Sequence, residues 1–200
     1  MPAPIDYYFD FSSPYGYAAS GRIDAIAARH GREVRWRPIL LGAVFKVTGG
    51  QPLTTIPLKS DYSRRDFARS ARLMGLPFTM PPTFPFATVG HCRAYYWIEA
   101  QDAAKARMYA RALYHRSFGE GRDIAAPQEL GEVAEPLGYA ASDVVAGMNE
   151  PAVKERVKTE TDGAIARGVF GSPFIFVDDE PFWGADRLDQ VDRWLQTGGW

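Results

Sequence analysis

An α/β fold is predicted by the order in which strand-like and helix-like segments follow one another. Short runs of β-branched and aromatic residues lie near both ends of the 200-residue chain, where they predict strands. Between them, apolar residues recur with helical spacing, and two proline-containing loops interrupt them. A chain of this length can bury one substantial core, so we expect a single compact unit.

The first part of the chain predicts two strands and a helix. Residues Ile5 to Phe11 mix β-branched and aromatic side chains, as a buried strand does. Ser13 and Pro14 suit the N-cap and the first position of a helix that ends at Gly31. From Val34 to Leu41, charged and apolar residues alternate and predict a second strand. The chain therefore begins with a β-α-β unit.

The middle of the chain is predicted to be helical. Turn-forming residues describe loops at 49–57 and 76–85. Around these loops, the spacing of apolar residues predicts helices over Tyr62–Leu73, His91–Phe118, Gln128–Leu137, Ser142–Met148 and Val153–Arg167. Helix is thus expected between two β-containing ends.

The last part of the chain returns to strand. Phe174 to Val177 and Phe182 to Trp183 flank a turn at Asp178 to Pro181, which predicts a hairpin. Apolar residues with helical spacing then predict a closing helix from Asp186 to Leu195. The order β-α-β, helical insertion, β-β-α is that of a thioredoxin-like fold.

The predicted α/β thioredoxin-like fold carries an inserted all-helical lobe. We assign residues 1–48 and 168–200 to the thioredoxin-like domain and residues 49–167 to the lobe, all within one compact unit. No internal repeat or low-complexity segment suggests another division.

The composition limits the classes of partner and chemistry. A formal net charge of -1 gives no electrostatic reason to expect nucleic acid or an anionic membrane surface. No apolar run approaches the ~18 residues that span a bilayer, and residues 1–5 lack the features of a secretory leader, so a cytoplasmic location is expected. The single cysteine, Cys92, rules out an internal disulfide or a Cys-x-x-Cys pair and is expected in the core. His30, His91 and His115 lack metal-ligand spacing, and no metal site is predicted.

Ser13 is the first candidate for chemistry. It stands where a strand ends and a helix begins, so unpaired backbone N–H groups and the positive end of the helix dipole lie beside its hydroxyl. Thioredoxin-like redox proteins hold Cys-Pro-x-Cys at this corner, whereas this chain has Ser13-Pro14-Tyr15-Gly16. Ser13 therefore either caps its helix only, or also donates a hydrogen bond to a thiolate supplied from outside.

Two further segments allow a structural and a functional interpretation. Pro173, at the entry of the third strand, is either an ordinary turn proline or a cis-proline facing the Ser13 corner. In the second case the preceding residue, Ser172, would pair with an extended peptide. Asp186, at the start of the last helix, either only caps that helix or also holds an ammonium group of a ligand.

Four segments together carry a family resemblance. They are Tyr8–Pro14, Arg37–Gly42, Gly168–Pro173 and Phe182–Leu188, in this order along the chain. On these segments the chain resembles the 2-hydroxychromene-2-carboxylate isomerase family, which is grouped with kappa-class glutathione transferases in the DsbA-like branch of the thioredoxin fold. The resemblance spans the chain from the first strand to the last helix.

The resemblance implies a glutathione-dependent isomerase. Ser13 would stabilise the thiolate of glutathione, the cofactor, which forms a transient adduct while a 2-hydroxychromene-2-carboxylate-type substrate opens to its benzylidenepyruvate. A small aromatic carboxylate is thus the implied partner, and a homodimer is the implied assembly. The residues implied to bind glutathione are Ser13, Ser172, Pro173, Trp183, Gly184, Ala185 and Asp186, and those implied to bind substrate are Lys46, Gly50 and Phe84.

Three positions depart from the family's pattern and leave other functions open. Gly50 stands where asparagine is common, Ala185 where serine or asparagine is common, and Phe174 where threonine is common. Lys46 either meets a substrate carboxylate or is a solvated surface charge. A kappa-class-like glutathione transferase or peroxidase shares the same features and stays an alternative. A non-catalytic thioredoxin-fold binding protein, in which Ser13 is a cap only, is the second alternative.

Overall fold

A four-stranded mixed sheet forms the centre of the computed structural model, which describes residues 3–200. The first two residues of the predicted segment 1–48 lie outside the described residues. The strands lie in the order β2-β1-β3-β4, with the bounds β1 Ile5–Phe9, β2 Val34–Pro38, β3 Phe174–Val177 and β4 Glu180–Trp183. β2 is parallel to β1, whereas β3 is antiparallel to both β1 and β4. This sheet confirms the predicted thioredoxin-like fold.

Helices surround the sheet and make up the insertion between β2 and β3. Their bounds are α1 Pro14–Ser20, α2 Ile23–Arg29, α3 Leu41–Thr48, α4 Lys59–Leu73, α5 Val89–Glu99, α6 Ala103–Tyr114, α7 Pro127–Glu132, α8 Ala141–Gly147, α9 Pro151–Ala166 and α10 Leu188–Thr197. Short 3₁₀ turns lie at 53–55, 135–137 and 185–187, and a π turn follows α6 at 115–119. Among residues 3–200, no helix has both the length and the apolar character needed to cross a membrane.

Each face of the sheet has its own apolar core, because successive side chains of a strand point to opposite faces. On one face, helices α1, α2, α5, α6 and α10 pack around Tyr7, Phe9 and Trp36, which are at most 1% exposed. On the other face, α3 and α9 cover Tyr8 and Phe176. The sheet is therefore buried between two helical layers, and its loops at one end remain available for a site.

Both N-terminal strands end earlier than predicted. β1 stops at Phe9 because the next residues turn the chain into α1, with the N–H of Ser13 donating to the carbonyl of Asp10 at 2.9 Å. β2 stops at Pro38, and the apolar residues predicted to extend it instead begin α3 at Leu41. A short apolar run does not distinguish a strand from the start of a helix, which is why the sequence did not predict α3.

Two predicted helices are each divided in two. The helix predicted to end at Gly31 consists of α1 and α2, and the helix predicted over His91–Phe118 consists of α5 and α6 followed by the π turn. The second break lies at Asp102, whose carboxylate accepts the N–H groups of Ala104 at 2.9 Å and Lys105 at 3.0 Å. Asp102 is thus the N-cap of α6, and its extended backbone ends the preceding helix.

An ionic cluster ties β1 and β2 to α9. Asp6 accepts hydrogen bonds from Arg37 at 2.8 Å and Arg167 at 2.5 Å, and Arg37 also donates to Glu160 of α9 at 2.6 Å. Burial alone would raise the pKa of Asp6, but the bonds and charges of the two arginines hold this pKa below its ordinary value. The cluster lies at the start of β1, at the opposite end of the strand from Ser13.

Candidate functional site

The Ser13 hydroxyl joins the end of β1 to the loop that precedes β3. Its oxygen accepts the N–H of Gly16 at 3.0 Å, which confirms Ser13 as the N-cap of α1. Its hydrogen is donated to the backbone carbonyl of Ser172 at 2.9 Å, across 159 positions of sequence. The side chain is only 6% exposed. Ser13 is therefore more than a local cap, because it also bonds the facing loop.

The loop at Pro173 is the second part of the site. The Ser172–Pro173 peptide bond is cis, which decides between the two alternatives that the sequence left open for Pro173. The hydroxyl oxygen of Ser172 accepts the N–H of Asp10 at 2.9 Å, and the carbonyl of Pro173 accepts the N–H of Gly184 at 3.1 Å. The loop is thus held between the Ser13 corner on one side and the end of β4 on the other.

An exposed aromatic pair borders this loop. Trp183 is 55% exposed, and its indole lies so close to Gly171 that a Cβ at this glycine would contact the indole nitrogen. The ring of Phe170 packs edge-on against Trp183, with 4.9 Å between ring centroids. Phe170 also packs against Phe174, the residue that departs from the family's threonine. The structure therefore places a broad apolar surface directly beside Ser172.

The predicted capping role of Asp186 was wrong. The last helix begins two residues later, at Leu188, and a 3₁₀ turn at 185–187, which follows Gly184, precedes it. The Asp186 carboxylate bonds to no backbone N–H in this turn, and its side chain is 75% exposed, with Arg187 at 3.8 Å. Ala185, by contrast, is buried. Asp186 is therefore an accessible carboxylate at the end of β4.

The predicted substrate residues lie at different distances from the corner. Phe84 is half-buried and packs against Phe67 of α4, which in turn packs against Tyr15 of α1 at 5.0 Å between centroids. Lys46, in the last turn of α3, and Gly50 are exposed and make no hydrogen bond or ion pair with the Ser13 corner. The structure thus connects Phe84 to the corner through aromatic contacts and leaves Lys46 and Gly50 at the surface.

Sequence reasoning missed an ordered tyrosine beside Ser13. The hydroxyl of Tyr15 donates to Asp66 of α4 at 2.5 Å, and Arg69 bonds to the same carboxylate. Burial, followed by this hydrogen bond, raises the pKa of Tyr15, so the phenol keeps its proton. No local signal could have revealed the pair, because 51 positions separate Tyr15 from Asp66.

Sequence reasoning also missed Asp10, which is 2% exposed. Its carboxylate accepts hydrogen bonds from Ser12, from the N–H of Leu41 and from the hydroxyl of Thr88. Burial raises its pKa, and these bonds act in the opposite direction. The position of Asp10 within the mainly apolar segment Ile5 to Phe11 was a signal that could have identified it, since a buried carboxylate needs hydrogen-bond partners.

Among the remaining candidates, Cys92 lies beneath the site, close to Asp10. Cys92 is completely buried, as predicted, and burial raises the pKa of its thiol well above the ordinary value, so it is not a nucleophile. A Cβ at Gly16, the position of the second cysteine of a Cys-Pro-x-Cys motif, would contact the hydroxyl of Tyr114. Within the described part of the chain, no three His, Cys, Asp or Glu side chains are arranged to hold a metal ion.

Together these groups place the Ser13 hydroxyl, the backbone of the cis-proline loop and an exposed aromatic pair side by side. Such a combination can bind an extended peptide beside Ser172 and place a polar atom of that peptide at Ser13. An accessible carboxylate, Asp186, and the indole of Trp183 extend the same surface.

Comparison with known proteins shows the family to which the chain belongs. Residues 4–196 match the family model described as the DSBA-like thioredoxin domain. A 2-hydroxychromene-2-carboxylate isomerase of Sphingobium xenophagum is 34% identical over 98% of this chain and 99% of its own length. A glutathione S-transferase, kappa 2, of Caenorhabditis elegans is 28% identical over 96% of this chain and 91% of its own length.

A solved structure supports the same relationship. A selenomethionine-labelled 2-hydroxychromene-2-carboxylate isomerase superposes with a TM-score of 0.85 at 31% identity, covering 96% of this chain and 94% of its own. The family-model match, over residues 4–196, extends from β1 into α10. The chain belongs to the 2-hydroxychromene-2-carboxylate isomerase family, an enzyme family within the DsbA-like thioredoxin domains.

Proposed function

We propose that the protein is a glutathione-dependent isomerase that interconverts a 2-hydroxychromene-2-carboxylate-type substrate and its ring-opened benzylidenepyruvate. The observation that carries the proposal is the pairing of the Ser13 hydroxyl with the backbone of Ser172, 2.9 Å apart, beside the exposed indole of Trp183. This is the place where a thioredoxin-like protein otherwise holds its reactive thiol. Family membership supports the reaction, since related chains are named for it.

The residues at the corner fit glutathione. The backbone of Ser172, next to the cis-proline, would pair with the cysteine unit of the tripeptide. The exposed carboxylate of Asp186 would bind the ammonium group of the γ-glutamyl unit, and the indole of Trp183 would pack against the methylene groups of that unit. Bound glutathione would supply a thiolate nucleophile that adds to the substrate and is released unchanged.

Ser13 would change hydrogen-bond partner when the cofactor binds. A hydroxyl has one hydrogen to donate, and in the structure it is donated to the carbonyl of Ser172. An N–H of the bound peptide that pairs with this carbonyl would replace the hydroxyl there. The hydrogen of Ser13 then becomes available to a thiolate, which is stabilised by a donated hydrogen bond. The oxygen meanwhile keeps the N–H of Gly16.

An aromatic carboxylate suits the surroundings of the corner. Tyr15 and Phe84 are half-buried and are joined by the buried ring of Phe67, so the accessible part of this aromatic wall consists of Tyr15 and Phe84. We assign this wall to the rings of the substrate and the exposed Lys46 to its carboxylate.

Replacement of Ser13 by alanine tests the proposal. Ser13→Ala is expected to lower kcat/KM about 100-fold, the loss typical of one donor to a developing anion. The free energy of unfolding should fall only by about 1 kcal/mol, the usual contribution of an N-cap. Steady-state kinetics with 2-hydroxychromene-2-carboxylate and glutathione measure the first effect, and denaturant unfolding measures the second.

Ser20→Ala is the matched control. Ser20 is a buried serine of the same helix whose hydroxyl donates to the carbonyl of Tyr17 at 2.7 Å, away from the corner. Its loss should destabilise the fold to a similar extent and leave kcat/KM within about twofold. Equal activity in Ser13→Ala and the wild type would show that Ser13 is a cap only.

Product analysis and calorimetry together separate the proposed function from the two alternatives. A kappa-class-like glutathione transferase or peroxidase would also bind glutathione and would instead conjugate or reduce its substrate, which product analysis distinguishes. A non-catalytic binding protein of this fold would show no glutathione binding in a folded sample at about millimolar concentration. The free energy of binding would then be weaker than about -4 kcal/mol.

The homodimer and the cytoplasmic location stay predictions. Sedimentation tests whether the protein is a homodimer.

A further inference from the structure

Asp10 is buried beneath the candidate site, and both oxygens of its carboxylate accept hydrogen bonds. One oxygen accepts the N–H of Ser12 at 2.7 Å and the hydroxyl of Ser12 at 2.8 Å. The other oxygen accepts the N–H of Leu41 at 2.7 Å and the hydroxyl of Thr88 at 3.2 Å. Because a backbone N–H can only donate, each of the two carboxyl oxygens must be free to accept one N–H, from Ser12 and from Leu41 respectively.

These donors belong to three separate parts of the chain. Ser12 precedes Ser13, Leu41 is the first residue of α3, and Thr88 precedes α5. Helix α3 has no side-chain cap of its own at Leu40, so the Asp10 carboxylate takes the place of one. Asp10 therefore attaches the start of a surface helix to the Ser13 corner.

The backbone of Asp10 fixes the other side of the same site. Its N–H donates to the hydroxyl of Ser172 at 2.9 Å, and its carbonyl accepts the N–H of Ser13 and the hydroxyl of Tyr114, each at 2.9 Å. One residue thus contacts the corner, the cis-proline loop and α3. A buried carboxyl group is costly to keep, which argues for a role that an apolar residue could not fill.

We propose that Asp10 is a positioning residue that fixes the spacing between the Ser13–Ser172 pair and helix α3, which carries Lys46. The role rests on the proposed function, since it gives the thiol-binding side and the substrate-binding side of the site one common anchor. Asp10 touches neither cofactor nor substrate. It acts through Ser12, which orders the corner, and through Leu41, which orders the helix.

Replacement of Asp10 by asparagine tests this role. An amide has one accepting oxygen, so it can satisfy the N–H of Ser12 or that of Leu41 but not both. At saturating glutathione, Asp10→Asn is expected to raise KM for 2-hydroxychromene-2-carboxylate about tenfold and to change kcat less, because the misplaced helix weakens substrate binding. Unfolding in denaturant confirms that the variant is folded.

Asp6→Asn is the matched control. Asp6 is a partly buried aspartate within β1, and its arginine partners lie at the end of the strand far from Ser13. Its loss should destabilise the protein while leaving both kinetic constants within about twofold. A KM increase of the same size in Asp6→Asn would overturn the proposal, because general destabilisation would then explain the effect.

Thr88 supplies a milder pair of variants should Asp10→Asn fail to fold. Thr88→Val removes one donor to Asp10 and keeps the shape of the side chain, whereas Thr88→Ser keeps the donor. We expect an intermediate rise in KM, about threefold, in Thr88→Val and wild-type KM in Thr88→Ser. Wild-type KM in both would overturn the positioning role.

Amide hydrogen exchange separates failure of this inference from failure of the proposed function. In Asp10→Asn, exchange should accelerate together in peptides covering 11–16 and 41–48, and in Asp6→Asn it should accelerate in neither. If the wild type neither turns over the chromene nor binds glutathione, the proposed function is wrong. The exchange pattern then tests by itself whether Asp10 holds the Ser13 corner and helix α3 together. Unchanged exchange in both peptides of Asp10→Asn would overturn the positioning role of Asp10.

Discussion

Gly16 shapes the corner through the side chain that it lacks. A Cβ at this position would contact the hydroxyl of Tyr114 and lie 3.3 Å from that of Ser172. Tyr114 cannot easily give way, because it is fully buried and its hydroxyl donates to the carbonyl of Asp10 at 2.9 Å. The corner therefore has room for one reactive side chain, Ser13, and none at the next turn of the helix.

Substitution of Gly16 makes this contact measurable. Gly16→Ala is expected to lower the free energy of unfolding by about 1–3 kcal/mol, as overpacked cores do. Adding Tyr114→Phe removes the contacted oxygen and should recover part of that loss, which denaturant unfolding of the double variant would show. Gly42→Ala is the control, since a Cβ there meets nothing within 4 Å. Equal stability of Gly16→Ala and the wild type would contradict the expected clash.

At the scale of secondary-structure elements, one side chain decides where a helix begins. The continuous apolar spacing from His91 to Phe118 predicts one helix, yet the backbone turns at Asp102, where φ is -156° and ψ is 104°. Its carboxylate then caps α6 by accepting two N–H groups. The resulting bend lets α5 and α6 pack against each other and against the same face of the sheet.

The cap of α6 should carry a measurable share of stability. Asp102→Ala is expected to lower the free energy of unfolding by about 1 kcal/mol, whereas Asp102→Asn, which still offers an accepting oxygen, should lower it by much less. Asp143→Ala, at an acidic residue in the first turn of α8 where no side chain caps the helix, should change it by less than about 0.5 kcal/mol. Thermal or denaturant unfolding measures the stability of the three variants. Equal stabilities would contradict the assignment of Asp102 as the cap of α6.

At the scale of the whole molecule, a buried histidine links stability to pH. His91 of α5 is fully buried between the rings of Phe11 and Phe86, and neither ring nitrogen has a hydrogen-bond partner among residues 3–200. Burial lowers the pKa of His91 from 6.5 to about 4, and the charge of Asp123 acts weakly in the opposite direction. The folded protein therefore keeps this imidazole neutral.

The sign of the pH dependence follows from that shift. Below about pH 6.5 the unfolded chain binds a proton at His91 that the folded protein does not bind, so stability should fall as pH decreases toward 4. The expected slope approaches about 1.4 kcal/mol per pH unit. His91→Phe should remove this slope, and His115→Gln, at an exposed histidine, should retain it. Denaturant unfolding over this range would refute the assignment if His91→Phe kept the wild-type slope.

Local patterns determined much of this protein. Strand periodicity, turn residues and helix caps act over a few neighbouring positions, so the sequence alone predicted the β-α-β start and the hairpin. It left a cis-proline at Pro173 as one of two alternatives. It also identified Ser13 as the cap at a corner that has no cysteine. The same local rules could not locate α3 or the break at Asp102, because an apolar run continued through both boundaries.

Only the tertiary structure decided which residues meet at the site. Ser13 bonds Ser172 across 159 positions, Tyr15 bonds Asp66 across 51, and Asp10 bonds Thr88 across 78. Such pairs depend on how the elements pack on both faces of the sheet, which no short-range pattern encodes. The sequence thus determined the elements and the chemical groups of this protein, and packing determined which groups act together.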